Sequence, residues 1–445
     1  MIKLRTIIEK SILKYLNYVF MIYFFMTLLF SRSFVGIYIR SIRIGEIFIA
    51  ISFLLFLYFL IPDSKTLSIK KTNYNFRNVG IIIAITFVYF VYLSETSFFS
   101  PYTFKTSTYI WSIGMFYFGL NMKKINLDLK QLFILEIAFL LIFYVAIYEF
   151  PDSIIEIFLR YSDKYEPHKG SDIGIFFILI NTLIIKFDKY KRFSLYLFLL
   201  NCALFLPLTL YKSRGAFLGL LIFVFYELFK FNKSNKLLRL HNLPLVLVFI
   251  SIATYSTIVS QTKDFPEEIS PEVIASSYLS LGEYRLQHYQ DDYPILYFEN
   301  NRLYSGDGNL NWRLSMWQDQ IDFMRNENIL IQGSGYKDTL YVFTYDNTGY
   351  GNNRAGLDGS NENVHNFFIH VLSRGGLVHL FLILYFFYKI IRVYRINALN
   401  NNVIFYLLPI LFIAFFDSSM ENAHFPLIFY YFLGNIYFKK KATIA

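Results

Sequence analysis

Two cations in a short turn, an arginine one helical turn ahead of a tryptophan, and a histidine beside an asparagine are the chemistry-bearing residues of this chain. Lys212 and Arg214 sit in "LTLYKSRGAFLGL", a connection of a few residues between two apolar runs. An arginine at a helix end either snorkels to water or grips an anion, since its planar fork matches phosphate oxygens. The residues alone leave Arg214 open between the two. Arg313 precedes Trp317 by four residues, a spacing that also fits a plain cation–π or surface contact. His365, followed by Asn366, stands where a long polar segment returns to an apolar run. A neutral imidazole there can take up a proton near neutral pH, or serve only as an interfacial polar group. Asp291–Tyr293 lacks the neighbouring His, Asp and Glu of a metal site, and Gly306, Gly308, Gly333 and Gly335 match no phosphate loop. The lone Cys202 gives neither an intramolecular disulfide nor a cysteine zinc site. No metal and no cofactor is expected.

The elements that must position these groups are apolar. The chain is 55% hydrophobic and 17% charged, against about 25% charged in ordinary soluble domains. Twelve runs approach the ~20 residues a helix needs to cross a bilayer: 12–30, 44–61, 79–93, 107–122, 132–150, 171–186, 193–210, 216–229, 243–259, 367–391, 403–416 and 425–438. The expected fold is therefore an all-α polytopic membrane protein, a single integral-membrane domain over 1–445. The first run reads as an anchor and not a cleaved signal peptide, because no small-residue cleavage site follows it. Lysine and arginine collect at both ends and in alternate gaps, which places both termini in the cytoplasm. Arg32, Arg40 and Arg43, in the first outer gap, contradict that pattern.

This orientation puts one long segment, 260–364, outside, between the ninth and tenth helices. It carries sixteen acidic residues against seven basic ones, so the formal +10 of the whole chain comes from the cytoplasmic rim. The basic balance is a topology signal and does not call for nucleic acid. The segment is expected to be partly helical. "GNLNWRLSMWQDQIDFMRNENILIQGSGY" reads as a helix capped by Asn309 or Asn311, with a stripe of Trp312, Met316, Ile321, Phe323 and Met324, then a turn at Gly333–Gly335. "PEEISPEVIASSYLS" reads as another short helix, and the Gly/Asn-rich 345–366 as a loop returning to the membrane.

Taken in order, an "SRGA" turn, a large outer loop with R-x-x-x-W and then G-x-G-Y, and a closing "HN" resemble the O-antigen ligase and O-antigen polymerase superfamily of integral-membrane glycosyltransferases. The resemblance spans about residue 212 to the end of the tenth helix. It implies a GT-C-like protein of the bacterial inner membrane acting at the periplasmic face on undecaprenyl-diphosphate-linked oligosaccharide. A chain-length-regulating co-polymerase is a further partner it implies. By that resemblance Arg214 and Arg313 bind the diphosphate, His365 is the catalytic base, and Lys212, Trp317 and Asn366 support them. The family's acidic residue nine positions after the histidine is Arg374 here, and its second glycine is His379.

The implied reaction is attack of an acceptor hydroxyl on the anomeric carbon, with the lipid diphosphate leaving and the centre inverting. Fixed arginines can stabilise the departing charge, so no metal is needed. Three classes remain: a repeat-unit polymerase, which the divergent loop favours; a ligase transferring the glycan to lipid A core; and a lipid-linked oligosaccharide flippase. The last is disfavoured because the polar candidates cluster at one face and not at mid-membrane.

Overall fold

A computed structural model describes residues 2–60, 71–98, 100–122, 125, 127–162, 165–166, 168–187, 191–235, 243–262, 294, 296–344, 354, 362–396 and 403–437. The chain runs through α1 (Ile2–Val35), α2 (Ile44–Leu60), α3 (Lys71–Leu93), α4 (Pro101–Thr106), α5 (Thr108–Trp111), α6 (Ile113–Asn121), α7 (Leu129–Tyr148), α8 (Asp152–Tyr161) and α9 (Gly170–Phe187). It continues with α10 (Lys191–Lys212), α11 (Arg214–Asn235) and α12 (Leu243–Thr262), then α13 (Gly308–Asn326) and α14 (Tyr341–Thr344). The last three helices are α15 (Phe367–Ile396), α16 (Val403–Phe416) and α17 (Phe425–Tyr437).

Each of the twelve apolar runs falls on helix, apart from a few end residues. The run 107–122 is broken at Ser107 and Ser112 into the pieces α5 and α6. Among the described residues six helices are long and apolar enough to cross a membrane, where the sequence alone pointed to twelve. Four more, among them α16 and α17, are apolar but only 10–17 residues long, and at 1.5 Å per residue fall short of a ~30 Å hydrocarbon layer. Two small antiparallel hairpins, unforeseen in the sequence, interrupt the helices: β1 (Tyr38–Ile39) with β2 (Ile42–Arg43), and β3 (Tyr297–Glu299) with β4 (Arg302–Tyr304).

The helices pack through small residues and a few polar ties. Lipid offers no hydrophobic gain for bringing apolar helices together, so close backbone approach must supply the packing. Gly215 and Gly219 of α11 lie against α16: an added Cβ would stand 2.7 Å from Phe416 Cβ and from Ile413 Cγ1 respectively. Asn201 of α10 donates to Glu136 Oε2 of α7 (3.3 Å) and to Asn181 Oδ1 of α9 (3.2 Å), tying three helices in the apolar interior.

The described part of the 260–364 segment forms a small layer on one end of the bundle. Its own core is Leu314, Met316, Trp317, Leu340, Val342 and Val364. The cap of α13 is Asp307, whose Oδ1 accepts from Leu310 N (2.9 Å), not Asn309 or Asn311. The expected helix at 266–280 lies outside the described residues. The glycine turn does more than end α13, because it docks on a break in α15. Gly376 has φ 64°, and the carbonyls of Ser373 and Arg374 accept from Ser334 N (2.7 Å) and Gly335 N (3.1 Å). A break in a membrane helix is tolerated only where its freed backbone groups find partners, and this loop provides them. A Cβ on Gly333 would meet Gly376 N at 2.5 Å, so only glycine allows the approach.

Candidate active site

Four elements meet at the end of α16. The SRGA turn is a helix start: Ser213 Oγ accepts from Ala216 N (3.3 Å), capping α11 and leaving Arg214 in its first turn. The Arg214 guanidinium, 41% exposed, pairs with Asp307 through one Nη. Asp307 thus caps α13 with one oxygen and holds Arg214 with the other. One turn along α13, Arg313 donates to the carbonyl of Phe416, the last residue of α16. Burial works against the charged form of Arg313, with Asp417 and Asp307 opposing it. The net shift is downward, though a guanidinium keeps its proton regardless.

Asp417 follows Phe416 and is the centre of the site. Its Oδ2 accepts from Ser171 Oγ of α9 (2.5 Å) and its Oδ1 from Ser418 N (2.8 Å). Its Oδ1 also stands 3.6 Å from His365 Nδ1. That is ion-pair distance, longer than a hydrogen bond. Burial pushes the Asp417 carboxyl up, but His365, Arg32, Ser171 and Arg313 outweigh it and hold the group well below the usual carboxylate range. Nearby Glu421 has less help, and burial raises it to about 8.

His365 itself has φ 52°, a left-handed backbone that costs a non-glycine residue and clusters at functional positions. Its ring lies 5.5 Å from that of Trp312, and its Nδ1 is the ring nitrogen that faces Asp417. Its neighbours fix it in place. Trp317 Nε1 donates to Val364 O (2.6 Å), directly before the histidine. Asn366 Oδ1 accepts from Phe368 N (3.0 Å) and Ile369 N (3.1 Å), capping α15 directly after it.

The structure therefore brings Arg214, Arg313 and His365 to one end of the bundle, joined through Asp307 and Asp417. Trp317 and Asn366 hold backbone. Lys212 lies apart, close enough to His168 to work with burial in lowering that ring to about 4. Arg374 is buried beneath the loop, donating to Gly335 O (3.2 Å), Asp338 O (2.7 Å) and Tyr102 Oη (2.9 Å). His379 is buried further down α15, its Nδ1 bonded to Tyr109 Oη (2.7 Å) and Tyr336 Oη (2.9 Å). Both pin the loop to the bundle. Among the described residues no three of His, Cys, Asp and Glu are placed to share a metal ion.

Residues 195–384 match the family model described as O-antigen ligase. Over these residues the chain is similar to that family. Members of that family are glycosyltransferase-like enzymes of membranes, and with its apolar helices the chain is a multi-pass membrane protein. No curated protein matches the chain. The matched region holds Lys212, Arg214, Arg313, Trp317, His365 and Asn366. It ends before Asp417 and begins after Arg32, two residues that sequence reasoning did not assign to the site. Arg32 left a signal in its conflict with the charge pattern; Asp417 left none, being an acid at the end of an apolar run.

Proposed function

We propose that the chain transfers a glycan from an undecaprenyl-diphosphate-linked oligosaccharide to the hydroxyl of a second lipid-linked repeat unit, acting as a surface-polysaccharide polymerase at the periplasmic face. The observation that supports the reading is His365 and Arg313 beside the Asp417 carboxylate just past α16, with Arg214 held at the same end by Asp307. His365 Nε2 takes the proton of the attacking hydroxyl while the new bond forms at the anomeric carbon and the bond to the diphosphate oxygen breaks. Asp417, opposite Nδ1, orients the ring and stabilises the imidazolium. Undecaprenyl diphosphate departs as an anion toward Arg214 and Arg313. Arg214 has five N–H donors and gives one nitrogen to Asp307, so its half-exposed fork retains donors for phosphate. Displacement from the opposite side inverts the anomeric centre. The His365–Asp417 contact of 3.6 Å can tighten to a hydrogen bond in the reacting complex.

The test is a purified assay with lipid-linked oligosaccharide extracted from cells lacking this chain, with and without EDTA. Longer glycans on the lipid are the expected product, unaffected by EDTA and lowered about 10²–10⁴-fold by His365→Ala and by His365→Gln, because an amide cannot take the proton. Full activity of His365→Gln would remove the base assignment. Transfer to lipid A core and not to a second lipid-linked unit would make the chain a ligase.

A further inference from the structure

The helix α1 breaks at Ser31, whose φ of 46° is left-handed, and the break turns Arg32 into the bundle. The Arg32 side chain is 9% exposed. A guanidinium cannot shed its proton, so its burial must be compensated by nearby negative charge. Here the compensation is spread out. Arg32 Nε stands 3.7 Å from Asp172 Oδ2 and Nη1 3.8 Å from Glu166 Oε2, while Nε and Nη2 make no hydrogen bond. An arginine placed only to tie two helices would be spent on one bidentate pair. This one faces a group of carboxylates that also includes Asp417 and Glu421.

The line from Arg32 to the candidate base is short. Ser31 Oγ donates to the same Asp172 Oδ2 (2.9 Å), so the break in α1 and the first turn of α9 are fixed together. The next residue back on α9, Ser171, donates to Asp417 Oδ2, and Asp417 Oδ1 faces His365. We infer that Arg32 is a positioning residue for glycosyl transfer, holding the first turn of α9 and the Asp417 carboxylate in the arrangement that orients His365, without touching either substrate. The inference rests on the function proposed above.

The charged and titratable groups facing Asp417 are Arg32 from α1, Asp172 from α9, Arg313 from α13, Glu421 from its own connection, and His365, while Glu166 faces Arg32 and pairs with Lys169 (2.9 Å). Removing Arg32 leaves the burial and the like charge of Asp172 against fewer cations. Asp417 would then take up a proton at a higher pH, and a protonated Asp417 no longer stabilises an imidazolium. Activity would therefore be lost as pH falls, starting from a higher pH than in the wild type.

The experiment measures transfer between pH 4 and 9 and binding of undecaprenyl diphosphate, using the purified full chain. Arg32→Gln should move the acid limb of transfer upward by about 1–3 pH units. Its rate relative to wild type should fall progressively toward the acid end of that range and match wild type at pH 8, with undecaprenyl diphosphate binding unchanged. Arg32→Lys, which keeps the charge, should leave the acid limb in place. A loss equal at every pH would make Arg32 merely structural, and weakened undecaprenyl diphosphate binding would make it an anion ligand; either overturns the inference, as does wild-type behaviour. Should Arg32→Gln not reach the membrane, Arg32→Lys decides alone: an active enzyme with an unmoved limb supports the inference, and weakened undecaprenyl diphosphate binding overturns it. His365→Ala and Arg214→Ala run beside these. If both keep transfer, the reading of the whole site fails; if both lose it while Arg32→Gln is unaffected, only the role of Arg32 fails.

Discussion

In the proposed reaction His365 and Asp417 divide one task, since an imidazole serves as base only if its free nitrogen points at the acceptor. Asp417→Asn keeps the shape but loses the charge opposite Nδ1. It should lower transfer by about 10²-fold or more at unchanged membrane level, because the amide no longer stabilises the imidazolium. Normal transfer in Asp417→Asn would leave His365 without its orienting partner. Arg214→Lys keeps a charge at the start of α11 but loses the planar fork. Binding of undecaprenyl diphosphate should weaken, and polymer should shorten or disappear from cells. Normal polymer from Arg214→Ala cells would return Arg214 to a snorkelling residue. The three principal residues were legible in the sequence because their chemistry is carried by residue type and order along one stretch. Asp417 was not, because it reaches the histidine only when α16 ends beside α15.

The elements act as holders of single backbone points. Trp317, Asn366 and the docked glycine turn fix the backbone on either side of His365. Gly376→Ala places a Cβ 2.1 Å from Ile331 O on a left-handed backbone, so the loop must move off the break in α15. The freed carbonyls of Ser373 and Arg374 then lose their partners, and the cost of an unsatisfied buried group is about 1–3 kcal/mol each. Gly376→Ala should therefore lower both thermal stability and transfer, measured on the same purified sample. Unchanged melting would show that the loop does not depend on this contact. The R-x-x-x-W spacing was visible in the sequence, but the separate roles were not: Arg313 turns to the end of α16 while Trp317 turns to Val364.

At the scale of the whole molecule, all the candidate groups stand at one end of the helical bundle, and the side of the membrane that end faces can be measured. Gly308 has open space around its Cα, and the only native thiol, Cys202, lies in α10. Gly308→Cys should react with an impermeant thiol reagent in intact inner-membrane spheroplasts. Labelling only after that membrane is broken would reverse the proposed orientation. The same end stores an electrostatic cost. Glu421 is held near 8 by burial, above its unfolded value of ~4.5. Folding therefore favours its protonated form, and stability should decline as pH rises through that interval and level off above about 8. Glu421→Gln should remove this decline, seen as a melting temperature less dependent on pH between 5 and 9. An identical pH dependence in both proteins would rule it out.

The sequence by itself pointed to the helical elements, to a helix in the 260–364 segment, and to Arg214, Arg313 and His365 as candidates. Each follows from local information: apolar run length, turn residues, and the order of a few motifs within one continuous stretch. Tertiary structure decided what those residues touch. The break in α1 that buries Arg32, the end of α16 that presents Asp417, and the start of α9 that links them are hundreds of residues apart in the chain. Their meeting depends on helix packing through glycine and on the pairing of buried charges. Neither leaves a period in the sequence, because a contact between distant elements constrains residue types at single positions and not along a pattern.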